Sequence, residues 1–161
     1  RCECMSTSEG VLIMLRKTLL SLVAGLLAIA ALGAAPAQPA EAFGSAPFVQ
    51  VWNANMGVAD RAADRFLANP TDRQMIRVLR EIARAENRIM TWLRQRPATA
   101  CQAPYKKQII SRGTVAMKSF KAAARDVKER AYRRATIRMD RGFRFHEGMF
   151  NAGVNMLQTC P

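Results

Sequence analysis

The spacing of the apolar residues limits the fold of this chain more than any other feature. From Phe43 onward they recur at intervals of three and four residues, which places them on one face of an α-helix. This stretch has no runs of β-branched residues, and it is rich in Ala, Arg, Met and Leu. Ala, Arg, Met and Leu favour helices. The pattern therefore predicts an all-α fold.

The first two predicted helices have clear boundaries. The first covers about residues 47–68 and ends before Pro70, because the residue preceding a proline disfavours helical geometry. The second covers about residues 71–96. Thr71 and Gln74 have the spacing of a capping box, in which each satisfies a backbone N–H of the other, so Thr71 is the predicted N-cap.

Residues 14–42 have the pattern of a bacterial secretory signal peptide. A short basic start is followed by an apolar run over 19–32 and by a small-x-small cleavage site that ends at Ala42. As a helix this run of about 14 residues would be only ~21 Å long, shorter than the ~30 Å hydrocarbon core of a bilayer. We therefore expect cleavage, leaving 43–161 as a periplasmic or secreted domain without a transmembrane span. Residues 1–13 are interpreted as an upstream segment that is not native.

Cys101 and Cys160 are the two cysteines of the predicted mature domain. In an oxidising compartment such a pair is expected to form a disulfide, the alternative being two separate buried thiols. A continuous helix from Tyr105 to Thr159 would hold the two cysteines about 80 Å apart, so the chain must turn back. The turn is predicted at 139–142, where Gly142 permits a turn conformation, and the fourth helix over about 140–158. The predicted fold is a small antiparallel up-down-up-down four-helix bundle stapled by this disulfide.

The chain is strongly basic, with 25 Lys and Arg against 12 Asp and Glu and a net charge of +13. Residues 1–42 contain three of each sign, so the predicted mature domain keeps the whole excess. Such a charge favours anionic partners, and we expect an anionic envelope component or an acidic protein. Nucleic acid fits the charge but is not favoured, because few aromatic residues lie among the basic ones and export separates the protein from it. The sequence sets no oligomeric state.

Ten arginines form two candidate anion-binding surfaces, since guanidinium groups pair well with phosphate and carboxylate. The first, the arginine stripe, lies within an arc of about 80° on the second helix, opposite its apolar face. The second arginine cluster brackets the predicted turn between the last two helices. The stripe consists of Arg73, Arg77, Arg80, Arg84 and Arg88, and the second cluster of Arg133, Arg134, Arg138, Arg141 and Arg144. The alternative is that both are solvated outer faces that keep the domain soluble.

Two polar residues interrupt the apolar faces. Glu86 and His146 lie at similar heights in the predicted bundle. We expect them to form a buried polar pair, because a carboxylate that is desolvated alone is costly. A His and a Met on facing helices can hold haem iron, so the alternative function is a periplasmic haem or metal carrier, with haem or copper held by His146 and either Met56 or Met117. Otherwise the pair fixes the helix register and no cofactor is needed.

Patterns that carry catalysis are missing from this sequence. It contains one His, and the two cysteines of the predicted mature domain are expected to be bonded to each other. Multi-His metal centres and a free cysteine nucleophile are therefore not expected. The sequence predicts a non-enzymatic, exported, basic binding protein.

Overall fold

The computed structural model describes residues 44–64 and 70–160. This part of the chain contains four helices and no strand, which confirms the predicted all-α class. The helices are α1 over Ser45–Asp64, α2 over Asp72–Arg94, α3 over Gln102–Lys128 and α4 over Tyr132–Thr159. Residues 1–43, which include the predicted signal peptide, lie outside the described residues, as does the predicted end of the first helix at 65–69.

The N-terminus of α2 has the predicted capping box. The Gln74 backbone N–H donates to Thr71 Oγ1 at 3.4 Å, and the Thr71 backbone N–H donates to Gln74 Oε1 at 2.8 Å. This capping box satisfies two backbone donors that would otherwise have no partner within the helix. The helix ends at Arg94, two residues before its predicted end, with Gln95 as the C-cap.

The predicted turn at 139–142 is wrong, because the chain turns between α3 and α4 at residues 129–131. The Ala131 N–H bonds the Asp126 carbonyl at 2.8 Å, and the Arg130 N–H bonds the Val127 carbonyl at 3.0 Å. Arg130 has φ of 56°, in the left-handed region. These two bonds and this dihedral form a Schellman motif, which usually carries glycine at the left-handed position. The sequence offers no glycine or proline there, so the turn escaped prediction.

Gly142 serves a packing role inside α4 rather than a turn. A Cβ built on Gly142 would lie 2.7 Å from Cε1 of Phe120, a fully buried residue of α3. The absence of a side chain therefore lets α3 and α4 approach closely at this point.

The predicted disulfide between Cys101 and Cys160 is confirmed, with the two Cα atoms 5.8 Å apart. It joins the start of α3 to the end of α4. Cys160 is buried and Cys101 is exposed. The up-down-up-down order of helix directions stays a prediction.

The core lies between all four helices. Helix α1 contributes Phe48 and Trp52, which meet the Trp92 ring of α2 at 6.5 Å and the Phe150 ring of α4 at 5.6 Å, respectively. Phe120 of α3 is fully buried and packs against the Phe143 ring of α4 at 5.0 Å. Within the described residues, none of the helices has the length and apolar character needed to cross a bilayer.

Candidate functional site

The arginine stripe lies on the outer face of α2. All five of its side chains are exposed, while the opposite face of the helix buries apolar residues such as Val78 and Ile82. Arg77 Nε is 3.2 Å from Glu81 Oε1, one turn further along. Arg84 Nε donates to the Arg80 carbonyl at 3.2 Å, which fixes that guanidinium without neutralising it. Among the described residues, Arg77 is the only member of the stripe with a carboxylate partner. Most of the positive charge of the stripe is therefore available to a ligand.

The second arginine cluster is rearranged by the shifted turn, because all five of its members now lie within α4. Two of them neutralise a buried acid of α3. Arg138 Nε lies 2.6 Å from Asp126 Oδ2, and Arg134 Nε lies 3.6 Å from Asp126 Oδ1. Arg134 also reaches Glu129 at 3.2 Å. Since a buried carboxylate needs a compensating charge, these two arginines hold the turn together and are less available to a ligand than predicted.

The other three members of the second cluster, Arg133, Arg141 and Arg144, are exposed. The Arg141 guanidinium lies 5.8 Å from the centroid of the half-buried Phe145 ring, within the range of a cation–π contact. Ile137, which is 60% exposed, lies among these three arginines on the outer face of α4.

The start of α2 meets the turn between α3 and α4. Tyr132 Oη donates to Asp72 Oδ2 at 2.8 Å, and this hydrogen bond, with partial burial, raises the pKa of Tyr132 above its usual value. The contact brings exposed cations from three helices and the turn to one end of the molecule. We call this set the basic end; it consists of Arg73, Arg125, Lys128, Arg130 and Arg133.

A third basic surface was missed in the sequence. Helix α3 carries exposed cations at helical spacing along its outer face, and we call them the α3 basic face. They are Lys107, Lys118, Lys121, Arg125 and Lys128. Spacings of three and four between most of them are visible in the sequence and would have identified the face.

Glu86 and His146 meet in the core, as their positions in the sequence predict. Oε1 of the fully buried Glu86 lies 2.9 Å from Nδ1 of His146, whose relative exposure is 4%. Burial raises the pKa of Glu86, and the hydrogen bond and charge interaction with His146 oppose that rise in part. Within the described residues, Glu86 Oε2 and His146 Nε2 have no hydrogen-bond partner.

Sulfur and aromatic side chains occur on the helices around this pair. The Trp52 ring lies 6.1 Å from the His146 imidazole, and Met56, one turn further along α1, is buried. Met117, the other predicted ligand, is only half-buried. The described residues hold no group of three His, Cys, Asp or Glu side chains placed to bind a metal ion.

Two further thioethers, which were not predicted as ligands, converge on α3. A Cβ built on Gly113 would lie 2.5 Å from Met149 Sδ and 2.9 Å from Met90 Sδ. Met149 follows His146 by three residues and Met90 follows Glu86 by four, so each thioether lies one turn from a member of the polar pair. The core around the pair is therefore rich in soft donor atoms.

Comparison of the chain with models of protein families, with curated proteins and with solved structures found no match. The chemistry of the described residues is therefore the basis for a functional proposal.

Proposed function

We propose that this is a non-enzymatic exported protein whose arginine surfaces bind an anionic envelope component or an acidic protein partner. The observation that carries the proposal is the arginine stripe: five exposed guanidinium groups along one face of α2, of which only Arg77 has a carboxylate partner among the described residues. The exposed members of the second cluster add positive charge on α4.

The geometry of the stripe suits an extended anionic ligand. Arg73 and Arg88 are 15 residues apart, which corresponds to about 22 Å along a helix axis. A ligand with several phosphates or carboxylates over this length could contact several guanidinium groups at once, each through paired N–H donors. Exposed charges are screened within about 8 Å at physiological salt, so binding through the stripe should weaken as salt rises.

A charge-reversal experiment tests the stripe. The variant Arg77→Glu, Arg80→Glu, Arg84→Glu should bind the envelope fraction of the native host at least about tenfold more weakly at moderate salt, because each lost cation near an anionic surface weakens binding several-fold. Binding is measured by sedimentation of the purified protein with that fraction over a series of salt concentrations.

The chain offers a matched control on the α3 basic face. The variant Lys107→Glu, Lys118→Glu, Lys121→Glu changes the net charge by the same amount at three exposed positions outside the basic end. It should retain most of the binding if the stripe is the site. Equal loss in both variants would show an effect of net charge alone, and no loss in either would contradict the proposal.

A second candidate function, a haem or metal carrier, is favoured by the environment of His146. Its Nδ1 is bound to Glu86, and its buried Nε2 has no partner among the described residues. A carboxylate that orients a histidine in this way is typical of metal-ligating histidines, whose other nitrogen binds the metal. Met56, buried one turn from Trp52, would supply the second ligand, with the half-buried Met117 as the other choice.

A visible absorption spectrum of the protein purified from its native host tests the second candidate. A haem carrier should show a Soret band that is lost in His146→Ala and shifted in Met56→Leu, while the charge-reversal variant of the stripe keeps it. A copper carrier should release copper, measured by elemental analysis, and lose it in the same His146 variant. A colourless protein without bound copper would rule out both forms of the carrier.

A further inference from the structure

Ile137 is an unusual residue on the surface of this protein. Its exposed fraction of 60% exceeds that of Val58, the other exposed large hydrophobic residue among those described, at 41%. On α4, Arg133 and Arg134 lie one turn before Ile137 and Arg141 one turn after it. Asp140, also one turn after Ile137, is the one acidic residue at these spacings. An exposed aliphatic side chain thus lies among mostly cationic neighbours and points away from the core.

The turn that precedes this face carries a second unusual residue. Arg130 adopts φ of 56°, a left-handed conformation that disfavours residues with a Cβ and is normally occupied by glycine at the end of a helix. The chain therefore accepts an unfavourable backbone conformation and places a long cationic side chain at the tip of the molecule. Backbone strain of this kind is a reason to look for function at the same place.

The chemistry of this surface fits a bilayer better than a protein partner. A stable protein interface buries roughly 800 Å² on each side, with an apolar core that is depleted of charge. Here one aliphatic residue has three arginines and Asp140 one turn away, so charge lies where such a core would be. An anionic bilayer instead accepts guanidinium groups at the depth of the phosphates and a single aliphatic side chain below them.

We propose that the basic end and the adjoining face of α4 dock on a bilayer of anionic phospholipids, with Ile137 inserted beneath the headgroups. The arginines and Lys128 would contact the lipid phosphates, and their aliphatic stems would extend along the acyl boundary. The inference rests on the proposed function and specifies its ligand as the phosphodiester headgroup of a membrane lipid.

Vesicle binding separates this inference from the proposed function. The predicted mature protein, residues 43–161, is sedimented with vesicles of phosphatidylglycerol and phosphatidylcholine, with vesicles of phosphatidylcholine alone, and with beads that carry dextran sulfate. Ile137→Ser should weaken binding to the anionic vesicles about threefold to tenfold, since apolar area is lost from the bilayer, and leave dextran sulfate binding unchanged. Val58→Ser is the matched control and should change neither.

A second variant, at Arg130 in the turn, should change stability and lipid binding in opposite directions. Arg130→Gly should raise the midpoint of thermal unfolding, because glycine suits the left-handed position, and should weaken binding to anionic vesicles about fivefold, because one cation is lost near the surface. A more stable protein that binds lipid less well cannot be explained by misfolding. Ile137→Leu should retain binding close to that of the original chain.

Two results would overturn the inference. The first is binding of the unaltered chain to dextran sulfate but not to anionic vesicles, which would leave the proposed function standing with a ligand other than lipid. The second is vesicle binding that Ile137→Ser leaves unchanged, which would show that the aliphatic side chain takes no part. Absence of binding to both dextran sulfate and anionic vesicles would contradict the proposed function as well.

Discussion

Replacing Gly142 by alanine should destabilise the protein, although alanine is the better helix former. The new Cβ would lie 2.7 Å from Cε1 of Phe120 and 2.9 Å from both Cδ1 and Cζ. These distances are too short for carbon atoms, so the ring or the helix must move. Phe120 is fully buried and packs edge-on against Phe143 with centroids 5.0 Å apart, which limits the movement of its ring. Overpacking of this kind costs about 1–3 kcal/mol, against which alanine recovers about 1 kcal/mol of helix propensity.

The chain supplies two comparison positions for this experiment. Gly57 of α1 has only Arg61 Nη1 near its built Cβ, at 3.4 Å, so Gly57→Ala should stabilise the protein by about 0.5–1 kcal/mol. Gly113→Ala should fall between the two, because its built Cβ meets the flexible thioethers of Met149 and Met90 rather than an aromatic ring.

Urea unfolding followed by far-ultraviolet circular dichroism measures all three variants against the original chain. The expected order of stability is Gly57→Ala, then Gly113→Ala, then Gly142→Ala, at similar dependence on urea concentration. A Gly142→Ala variant as stable as Gly57→Ala would refute the close approach of α3 and α4 at this residue.

Two further predictions concern the core and the disulfide. Glu86→Ala should cost about 3 kcal/mol in urea unfolding, because it leaves a cavity and deprives His146 of its partner, whereas Glu86→Gln should cost less than about 1 kcal/mol. Burial raises the pKa of Glu86 above its usual 4.5, so the folded state binds this proton more readily than the unfolded chain. The free energy of unfolding of the original chain relative to Glu86→Gln should therefore rise as the pH falls through the raised pKa toward 4.5. A difference that does not vary with pH would contradict a raised pKa of Glu86. Replacing Cys101 and Cys160 by serine should cost about 4 kcal/mol, since the loop they close has a sequence separation of 59, and unfolding of the original chain with reductant should give the same loss.

The parts of the fold that depend on local signals could be predicted from the sequence. The capping box at Thr71 and the apolar spacing fixed the start of α2, and the cysteine pair showed that the chain turns back after Cys101. The contact between Glu86 and His146 followed from their similar heights on facing helices. Each of these inferences uses residue types whose structural preferences are strong.

The position of the last turn was predicted wrongly, because the residue in its left-handed position is an arginine rather than a glycine. Arg130 occupies a left-handed position where glycine is expected, while Gly142 lies within a helix because a ring packs against it. A pattern that locates turns by glycine selects the wrong one of these two residues.

The ion pairs of the second arginine cluster could not be predicted without the correct turn. With a turn at 139–142, Asp126, Arg134 and Arg138 would lie along one continuous helix, eight and twelve residues apart. With the observed turn at 129–131, α4 folds back beside α3 and both arginines reach the buried Asp126 carboxylate. The ion pairs of Arg134 and Arg138 with Asp126 therefore depend on the tertiary structure.

The arginine stripe is tested most directly by the salt dependence of binding to one soluble polyanion. Affinity for dextran sulfate is measured over a salt series for the original chain, for the Arg77, Arg80 and Arg84 reversal, and for the matched Lys107, Lys118 and Lys121 reversal. Each anionic contact that is lost lowers the slope of log affinity against log salt by about one. We predict that the stripe variant loses a slope of about three and that the α3 variant keeps its slope. Equal slopes for the two variants would contradict a binding site on α2.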